Sequence, residues 1–366
     1  QNRQTIHPGL YIGSGKVEEL LDEIAWTNAT GIVCDDELSP AQLRNLSDAL
    51  NVKVMDRTLI ILDIFAARAS TSEGKIQVEL AQLRYRMSRL SGIGKSMSRL
   101  GGGIGTRGPG EKKLEVDRRL IASRISQLKR ELEEVKRHRE VNRVARRRNR
   151  VPVAAIVGYT NAGKSTLLNA LTGAGILAED KLFATLDPTT RMLELPGSQK
   201  LLLTDTVGVI RKLPHHLIDA FRSTLEEAKY ADFIIHVVDA SNPQAAKQMH
   251  IVYETLHQLE VTDKKILTLF NKQDAITDRE PLRDGRADIT LRVSAARGDG
   301  LEELKDCLAR ILRENKHYLE TVLPYDKGGL LQQIRETGEL IAEEYLPEGI
   351  RIEAYVPPEL FEKIHA

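Results

Sequence analysis

Apolar residues along the chain follow two patterns, short continuous runs and stretches with a helical period. In the first 72 residues, the runs Gly31–Cys34 and Val52–Met55 predict strands. The segments Lys16–Ile24 and Pro40–Leu50 carry the spacing of amphipathic helices. We therefore expect residues 1–72 to form a small N-terminal α/β subdomain.

Residues 73–150 have a different pattern, with apolar residues at alternating intervals of four and three in two segments. This spacing predicts two helices that pack along a common seam, a helical hairpin. A glycine-rich stretch, residues 91–110, separates the segments and predicts a mobile loop. The expected seam residues are Ile76, Leu80, Leu83, Met87, Leu90, Ile121, Ile125, Leu128, Leu132 and Val135.

From residue 151 to about 313, apolar runs alternate with helical stretches. This alternation is typical of a mainly parallel, doubly wound α/β sheet. Residues 314–366 predict a small C-terminal α+β unit, with a helix over Gly329–Tyr345 and a strand over Gly349–Val356. The apolar runs of the larger unit are Val151–Val157, Leu201–Leu203, Phe233–Val238, Ile266–Phe270 and Ile289–Val293.

Charge is distributed unevenly, although the net charge of the whole chain is only +1. From Arg84 to Arg150 there are 21 basic and 7 acidic residues, and the rest of the chain has 32 basic and 45 acidic residues. The segment from Arg84 to Arg150 thus carries a net +14 and the remainder of the chain a net −13. A basic arm on an acidic body favours a polyanionic partner such as RNA.

Composition excludes several classes of protein. No apolar run approaches the length of about 20 residues that spans a membrane, and no signal-peptide pattern is visible at the start. The two cysteines, Cys34 and Cys307, lack metal-ligand spacing and predict buried thiols in a reducing compartment. We therefore expect a cytoplasmic protein, and we expect a monomer.

The stretch Gly158–Ser165 fits the pattern of a glycine, four residues and Gly-Lys-Ser. A strand precedes it and a helix follows, which is the context that a P-loop requires. In such a loop, backbone N–H groups and the helix N-terminus bind phosphate. Lys164 is expected to contact the β- and γ-phosphates in catalysis, and Ser165 to bind Mg²⁺. The predicted phosphate-binding residues are Gly158, Tyr159, Thr160, Asn161, Ala162, Gly163, Lys164, Ser165 and Thr166.

Asp205-Thr206-Val207-Gly208 ends the strand Leu201–Leu203, 41 residues after Lys164. A carboxylate at this position can hold Mg²⁺ through a water molecule, and the Gly208 N–H can bind the γ-phosphate during catalysis. Many GTPases place a water-orienting glutamine directly after this glycine. Here the position is Val209, so we expect hydrolysis of GTP to GDP to be slow alone and stimulated by a partner.

The segment Phe183–Arg191 lies between the P-loop and Asp205. A threonine in it can complete Mg²⁺ coordination only when the γ-phosphate is present, which would make a switch. From the residues alone Thr185, Thr189 and Thr190 all remain candidates, and we choose Thr185, which we also count as catalytic. The predicted GTP-binding residues of this segment are Phe183, Ala184, Thr185, Leu186 and Asp187.

Base selection is predicted for Asn271-Lys272-Gln273-Asp274, which directly follows the strand Ile266–Phe270. Guanine presents two adjacent donors that one Asp274 carboxylate can accept, and adenine lacks this pair. The Lys272 stem can lie over the base, while Asn271 ties the loop together. After the next strand, Ser294-Ala295-Ala296 can add a backbone N–H to the guanine oxygen.

Two segments resemble the HflX family of translation-factor-related GTPases. They are Leu-Gly-Gly-Gly-Ile-Gly-Thr-Arg-Gly-Pro-Gly-Glu at residues 100–111 and Phe-Ala-Thr-Leu-Asp-Pro-Thr-Thr at residues 183–190. The resemblance covers nearly the whole chain, and Lys112 departs from it where a threonine is common. It implies an α/β-plus-hairpin domain, a P-loop GTPase domain and a short C-terminal domain. It also assigns the Mg²⁺ threonine to Thr185 and implies binding to the large (50S) ribosomal subunit, with splitting or rescue of stalled 70S ribosomes.

Three functions are therefore considered. The leading hypothesis is a ribosome-associated GTPase whose basic hairpin contacts ribosomal RNA. The second is a signalling switch whose hairpin docks a protein, and the third is a nucleotide-driven RNA remodeller. Salt dependence separates the first two, because RNA binding falls steeply with salt, and nucleotide competition separates the third.

Overall fold

The computed structural model describes residues 6–97, 109–148, 151–173, 189–211, 227–276, 281–314 and 316–365. Of these residues, those up to 138 form one compact unit and those from 139 onward form another. Within the described ranges, no helix combines the length and the hydropathy needed to cross a bilayer.

The first unit begins with two parallel strands that alternate with helices. Both strands and two helices were predicted and are confirmed, with the second strand shifted by one residue. The third helix was not predicted. It begins because the carboxylate of Asp56 accepts a hydrogen bond from Leu59 N at 2.9 Å, which caps an otherwise strand-like apolar run. The elements are α1 (Ser14–Thr27), β1 (Gly31–Cys34), α2 (Pro40–Leu50), β2 (Lys53–Asp56) and α3 (Arg57–Arg68).

Two long helices, α4 (Ser72–Met97) and α5 (Pro109–Arg148), form the predicted hairpin. Its seam is confirmed for eight of the ten predicted residues, which pack as one apolar cluster, and Leu90 and Val135 are not part of that cluster. Across the seam, the Arg124 guanidinium makes two hydrogen bonds with the Glu79 carboxylate, at 2.8 and 3.0 Å. The clustered seam residues are Ile76, Leu80, Leu83, Met87, Ile121, Ile125, Leu128 and Leu132.

The glycine-rich loop was predicted too long. The backbone of residues 91–97 continues α4, and Pro109 already begins α5. Each glycine weakens a helix by about 1 kcal/mol without forbidding it, and a proline at the first helical position is favourable. Residues 98–108, the remainder of the predicted loop, lie outside the described residues.

The second unit contains a six-stranded sheet in the order β4-β5-β3-β6-β7-β8. Every strand is parallel to its neighbours except β4, which is antiparallel to β5. The five predicted strands are confirmed. The strand β4 was missed, because it is a half-exposed edge strand without a continuous apolar run. The strands are β3 (Val153–Gly158), β4 (Thr189–Leu195), β5 (Gln199–Asp205), β6 (Phe233–Asp239), β7 (Lys265–Asn271) and β8 (Ile289–Arg292).

Helices cover both faces of this sheet, as the doubly wound prediction requires. One face packs against Leu167 of α6 and Leu308 of α9, and the other packs against Val252 of α8. The strand order reverses at β3, and such a reversal is where open α/β sheets bind their ligands. The helices are α6 (Lys164–Thr172), α7 (Glu227–Tyr230), α8 (Ala245–Gln258) and α9 (Leu301–Arg313).

A three-stranded antiparallel sheet and two helices follow. The predicted helix ends at Thr337 instead of Tyr345, because Gly338 adopts an extended conformation and the chain from Glu339 pairs with the next strand. The strand over 349–356 is confirmed, whereas the first strand and the last helix were not predicted. The elements are β9 (His317–Leu323), α10 (Gly328–Thr337), β10 (Glu339–Leu346), β11 (Gly349–Val356) and α11 (Pro358–His365).

Candidate nucleotide-binding site

The glycine loop connects β3 to α6 through a tight turn. Asn161 and Gly163 adopt left-handed conformations, with φ of +63° and +94°. A Cβ at Gly158 would lie 2.4 Å from the Val237 carbonyl oxygen, so this glycine allows β3 and β6 to approach closely. No side chain caps the start of α6, which leaves its first N–H groups facing the loop, where an anion can bind them.

Lys164 lies at the start of α6 with only 6% of its surface exposed. Its Nζ donates a hydrogen bond to the Tyr159 carbonyl oxygen at 3.1 Å. Burial lowers the pKa of Lys164, and the Asp205 carboxylate acts in the opposite direction. A bound phosphate would add the negative charge that stabilises a buried ammonium group.

Ser165 and Asp205 bring two oxygen ligands together beside the loop. Ser165 Oγ donates a hydrogen bond to Asp205 Oδ2 at 2.7 Å, and both residues are buried. Hydroxyl and carboxylate oxygens are the donors that Mg²⁺ prefers. These two residues therefore fit the predicted ion.

Two of the three candidate threonines lie on β4. Thr190 Oγ1 is 3.0 Å from Thr204 Oγ1, so Thr190 is engaged across the β4–β5 pair. Thr189 pairs in register with Asp205 at the end of the sheet that carries the site. Thr185 lies outside the described residues, together with Phe183, Ala184, Leu186 and Asp187.

The segment after β5 is anchored to the glycine loop. Thr160 N donates to the Val209 carbonyl oxygen at 2.8 Å, and Val209 N donates to the Gly158 carbonyl oxygen at 3.0 Å. A Cβ at Gly208 would lie 2.7 Å from Thr160 Cα, so only glycine permits this approach. Thr206 Oγ1 donates to the backbone of β3 at 2.7 Å. Gly208 is thereby held against the phosphate loop.

The side chain of Val209 is part of the hydrophobic core beneath the phosphate loop. It is 7% exposed and packs in the apolar cluster with Val157, Ala228 and Val252, on the α8 side of the sheet. Val207 is also buried, with 3% of its surface exposed. The residue after Gly208 therefore cannot orient a water molecule, both because it is apolar and because it is part of the core.

Asn271 connects the glycine loop to the two segments predicted to bind the base, residues 271–274 and 294–296, which we call the base loops. Its Nδ2 donates to the Ala162 carbonyl oxygen at 2.9 Å, and its Oδ1 accepts from Ala295 N at 3.0 Å. A Cβ at Gly163 would lie 2.3 Å from Asn271 Nδ2, so the glycine is needed for this contact as well as for its backbone conformation.

Asp274 and Ser294, one from each base loop, are joined by a hydrogen bond between their side chains. Ser294 Oγ donates to Asp274 Oδ1 at 2.6 Å. This hydrogen bond lowers the pKa of Asp274, with smaller contributions from Arg297 and Lys272, so the carboxylate stays ionised and able to accept. The arrangement suits a ligand with two adjacent N–H donors.

Lys272 has φ of +62°, and its Nζ lies 2.8 Å from Asp239 Oδ2. Sequence reasoning assigned no role to Asp239. A signal was present, because Asp239 ends a parallel strand at the same sheet edge as Asn271. The other predicted residues lie where the motifs place them, Tyr159 in the glycine loop, Thr166 in the first turn of α6 and Ala296 after Ala295.

One edge of a mainly parallel sheet carries a strand followed by a glycine loop, a buried lysine, a serine–aspartate pair and a loop suited to bind a base. Together these features define a P-loop GTPase. A relative described as GTPase HflX, from Lacrimispora saccharolytica, is 67% identical over 361 residues, which cover 99% of this chain and 85% of the relative. GTPase HflX from Escherichia coli is 41% identical over 350 residues, covering 95% of this chain and 82% of the relative. The chain therefore belongs to the HflX family of GTPases and is a GTP-hydrolysing enzyme.

Three family models match three consecutive segments of the chain. Residues 1–66 match "GTP-binding GTPase N-terminal", residues 68–146 match "GTP-binding GTPase Middle Region", and residues 153–272 match "50S ribosome-binding GTPase". Among solved structures, the SsGBP–GDP complex has a TM-score of 0.48 and 27% identity, covering 84% of this chain and 88% of that one. A GTP-binding protein from Sulfolobus solfataricus with GDP has a TM-score of 0.45 and 26% identity, with the same coverage.

Proposed function

We propose that this GTPase binds the large ribosomal subunit in the cytoplasm and uses GTP to split or rescue stalled ribosomes. The observation that carries the proposal is the basic hairpin, with a net charge of +14 from Arg84 to Arg150 on an otherwise acidic chain. The match of residues 153–272 to a 50S ribosome-binding GTPase supports the same partner. Because a ribosomal surface presents phosphate, the hairpin supplies the complementary charge.

In this proposal the four domains keep the predicted bounds, 1–72, 73–150, 151–313 and 314–366, and the protein acts as a monomer. GTP or GDP phosphates bind the loop from Gly158 to Thr166, and Lys164 neutralises their charge. Ser165 and the switch threonine, Thr185, would hold Mg²⁺ with Asp205 through water, and the ion would neutralise charge that develops on the phosphates. Gly208 N–H would bind the γ-phosphate and so connect hydrolysis to the conformation of the switch segments.

Base selection follows from the geometry of the base loops. Asp274, kept ionised by Ser294, would accept both donors of guanine, and Ala295 and Ala296 would offer backbone N–H groups to the guanine oxygen. Lys272 would cover the base with its aliphatic stem. Adenine would leave the Asp274 carboxylate without its donors, which costs binding free energy.

A salt titration of binding tests the proposed RNA contact. Arg146, Arg147 and Arg148 lie in the last turn of α5, and their replacement by alanine should weaken cosedimentation of the full-length protein with purified large subunits. The plot of log affinity against log salt concentration should become less steep, by the contribution of up to about three phosphate contacts. GTP affinity should be unchanged, because none of the three arginines belongs to the motifs of the nucleotide site.

A matched variant controls for the loss of three positive charges. Lys327, Arg335 and Lys363 are exposed basic residues of the C-terminal sheet unit, and their replacement by alanine should leave the salt slope unchanged. Equal slopes for the hairpin variant and the wild type would refute RNA contact by the hairpin and favour a protein-docking switch. Deletion of Gly101–Gly105 should impair splitting more than binding, since it shortens the tip without removing charge.

A further inference from the structure

The ion pair between Lys272 and Asp239 assigns a role to a residue outside the motifs of the nucleotide site. Lys272 Nζ is 2.8 Å from Asp239 Oδ2, and the two side chains are 29% and 12% exposed. Asp239 ends β6 and pairs in register with Asn271, which ends β7. The carboxylate therefore lies at the sheet edge from which the base loop emerges.

The Asp239 carboxylate is itself fixed by the turn that follows it. Its Oδ1 accepts hydrogen bonds from Ser241 N at 3.0 Å and from Ser241 Oγ at 2.6 Å. Ala240 N donates to the Asn271 carbonyl oxygen at 3.0 Å, which ties the ends of β6 and β7 together. One carboxylate oxygen is thus held by Ser241 while the other faces the lysine.

This arrangement fixes both ends of the Lys272 side chain. Its backbone is in the left-handed conformation at φ of +62°, and its ammonium group is paired with Asp239. An unrestrained lysine side chain has many rotamers, and ordering it on binding costs conformational entropy. With both ends fixed, the aliphatic stem has little further conformational freedom to lose when a planar ring packs on it.

We infer that Asp239 is a positioning residue for guanine nucleotides, which acts by holding the Lys272 stem in its base-covering conformation before the nucleotide arrives. The inference rests on the proposed role of Lys272 at the base. Asp239 does not contact the nucleotide and takes no part in phosphate chemistry. Its removal therefore weakens binding without changing the rate of hydrolysis in the bound state.

Replacing Asp239 by asparagine tests this directly, because it removes the charge and keeps an oxygen that Ser241 can bond. Titration with a fluorescent GDP analogue should give a Kd raised roughly tenfold, equivalent to about 1.4 kcal/mol. The KM for GTP should rise by a similar factor while kcat is unchanged. A merely structural role would instead lower kcat through loss of active protein and would lower the thermal unfolding midpoint.

A double-mutant cycle shows whether Asp239 acts through Lys272. Lys272→Met keeps an apolar stem and removes the ammonium group, so it breaks the same ion pair from the other side. The Asp239→Asn/Lys272→Met double variant should bind GDP as the Lys272→Met single variant does, because the pair cannot be lost twice. Glu260→Gln, which breaks the Lys229–Glu260 pair of 2.7 Å elsewhere in the same unit, should leave the Kd unchanged.

Three results would overturn the inference and are distinguishable. If Lys272→Ala, which removes the stem, binds GDP as the wild type does, the proposed role of Lys272 at the base fails, and the positioning role fails with it. If Lys272→Met alone binds GDP as the wild type does, the ion pair is not needed for binding and the positioning role fails, whereas the role of the stem at the base is unaffected. If Lys272→Met weakens binding but Asp239→Asn does not, or if the two losses multiply in the double variant, Lys272 acts at the base without help from Asp239.

Discussion

The Asn271 side-chain amide donates a hydrogen bond to the Ala162 carbonyl oxygen at 2.9 Å, although 109 residues separate the two along the chain. Asn271 is buried, with 2% of its surface exposed. Its other side-chain atom accepts from Ala295 N, so one residue fixes the distance between the phosphate loop and the base loops. Nucleotide affinity should therefore be sensitive to any change that displaces Asn271.

Gly163→Ala should displace it without altering any group that contacts the nucleotide through a side chain. The new Cβ would lie 2.3 Å from Asn271 Nδ2, at a backbone φ of +94°. We expect GDP affinity to fall by at least about tenfold, or about 1.4 kcal/mol, in a fluorescent GDP titration. Gly173→Ala is the matched control, because Gly173 also has a positive φ of +64° but nothing within 4 Å of its Cβ position.

That control should show only the cost of backbone strain, about 1–2 kcal/mol of unfolding free energy, with unchanged GDP affinity. Equal affinities for the two alanine variants would mean that the Asn271 contact does not govern nucleotide binding.

Asp274→Asn should change the choice of base. The amide can donate where the carboxylate could only accept, so GTP should bind at least about tenfold more weakly. Xanthosine triphosphate, whose ring has an acceptor in place of the exocyclic amine, should bind more tightly than to the wild type. Competition against fluorescent GDP measures both, and ATP should not compete in the wild type. An Asp326→Asn variant, altered at an exposed acid of the C-terminal unit, should keep the wild-type preference; loss of GTP and xanthosine nucleotide binding alike would contradict the assignment.

Val209→Gln should not accelerate hydrolysis, even though it restores the residue type that many GTPases have at this position. The Val209 side chain packs in the core, so a glutamine there would bury a polar group at a cost of about 1–3 kcal/mol. Single-turnover hydrolysis by either protein alone should be on the order of 10⁻² s⁻¹ or slower. A large rise in the rate, with unchanged stability in urea, would show that residue 209 can reach the bound water.

His236 should make the protein less stable in mild acid. It lies buried in β6, with its Nδ1 3.8 Å from Asp284 Oδ2, which is too far for a hydrogen bond. Burial lowers the pKa of His236 below its usual value of 6.5, so the folded protein keeps a neutral ring where the unfolded chain takes up a proton. The contribution of His236 to the free energy of unfolding is complete above about pH 6.5. It decreases as the pH falls below that value, by up to about 1.4 kcal/mol per pH unit.

The measurement is urea unfolding from about pH 7 to about pH 5, a window set by the usual histidine pKa. His236→Leu should flatten the dependence of unfolding free energy on pH in this window. His250→Leu, which changes an exposed histidine on α8, should keep the wild-type slope. A wild-type slope in the His236 variant would show that another group takes up the proton.

The sequence determined those features in which the chemistry and the backbone conformation are local. The glycine loop lies directly between a strand and a helix, and Asn271–Asp274 directly follows a strand, so motif and context are contiguous and predict a GTP site together. The α4–α5 seam is also local, since a regular spacing on one helix specifies an apolar stripe. Prediction from the apolar spacing was wrong where the residues fit a helix and a strand equally well. After Thr337, residues that were expected to continue the helix pair with β11 as a strand instead.

Tertiary structure alone decided which distant residues meet. The chain order does not specify that Thr190 faces Thr204 or that Val209 packs in the core. It places Asp239 at the end of a parallel strand, but it does not specify that Lys272 is its partner. These contacts arise because parallel strands bring their carboxyl ends to one edge, and because strand register determines which side chains share a face. The sequence specifies each strand by its own residues, whereas the contacts depend on how the strands are ordered and paired across the sheet.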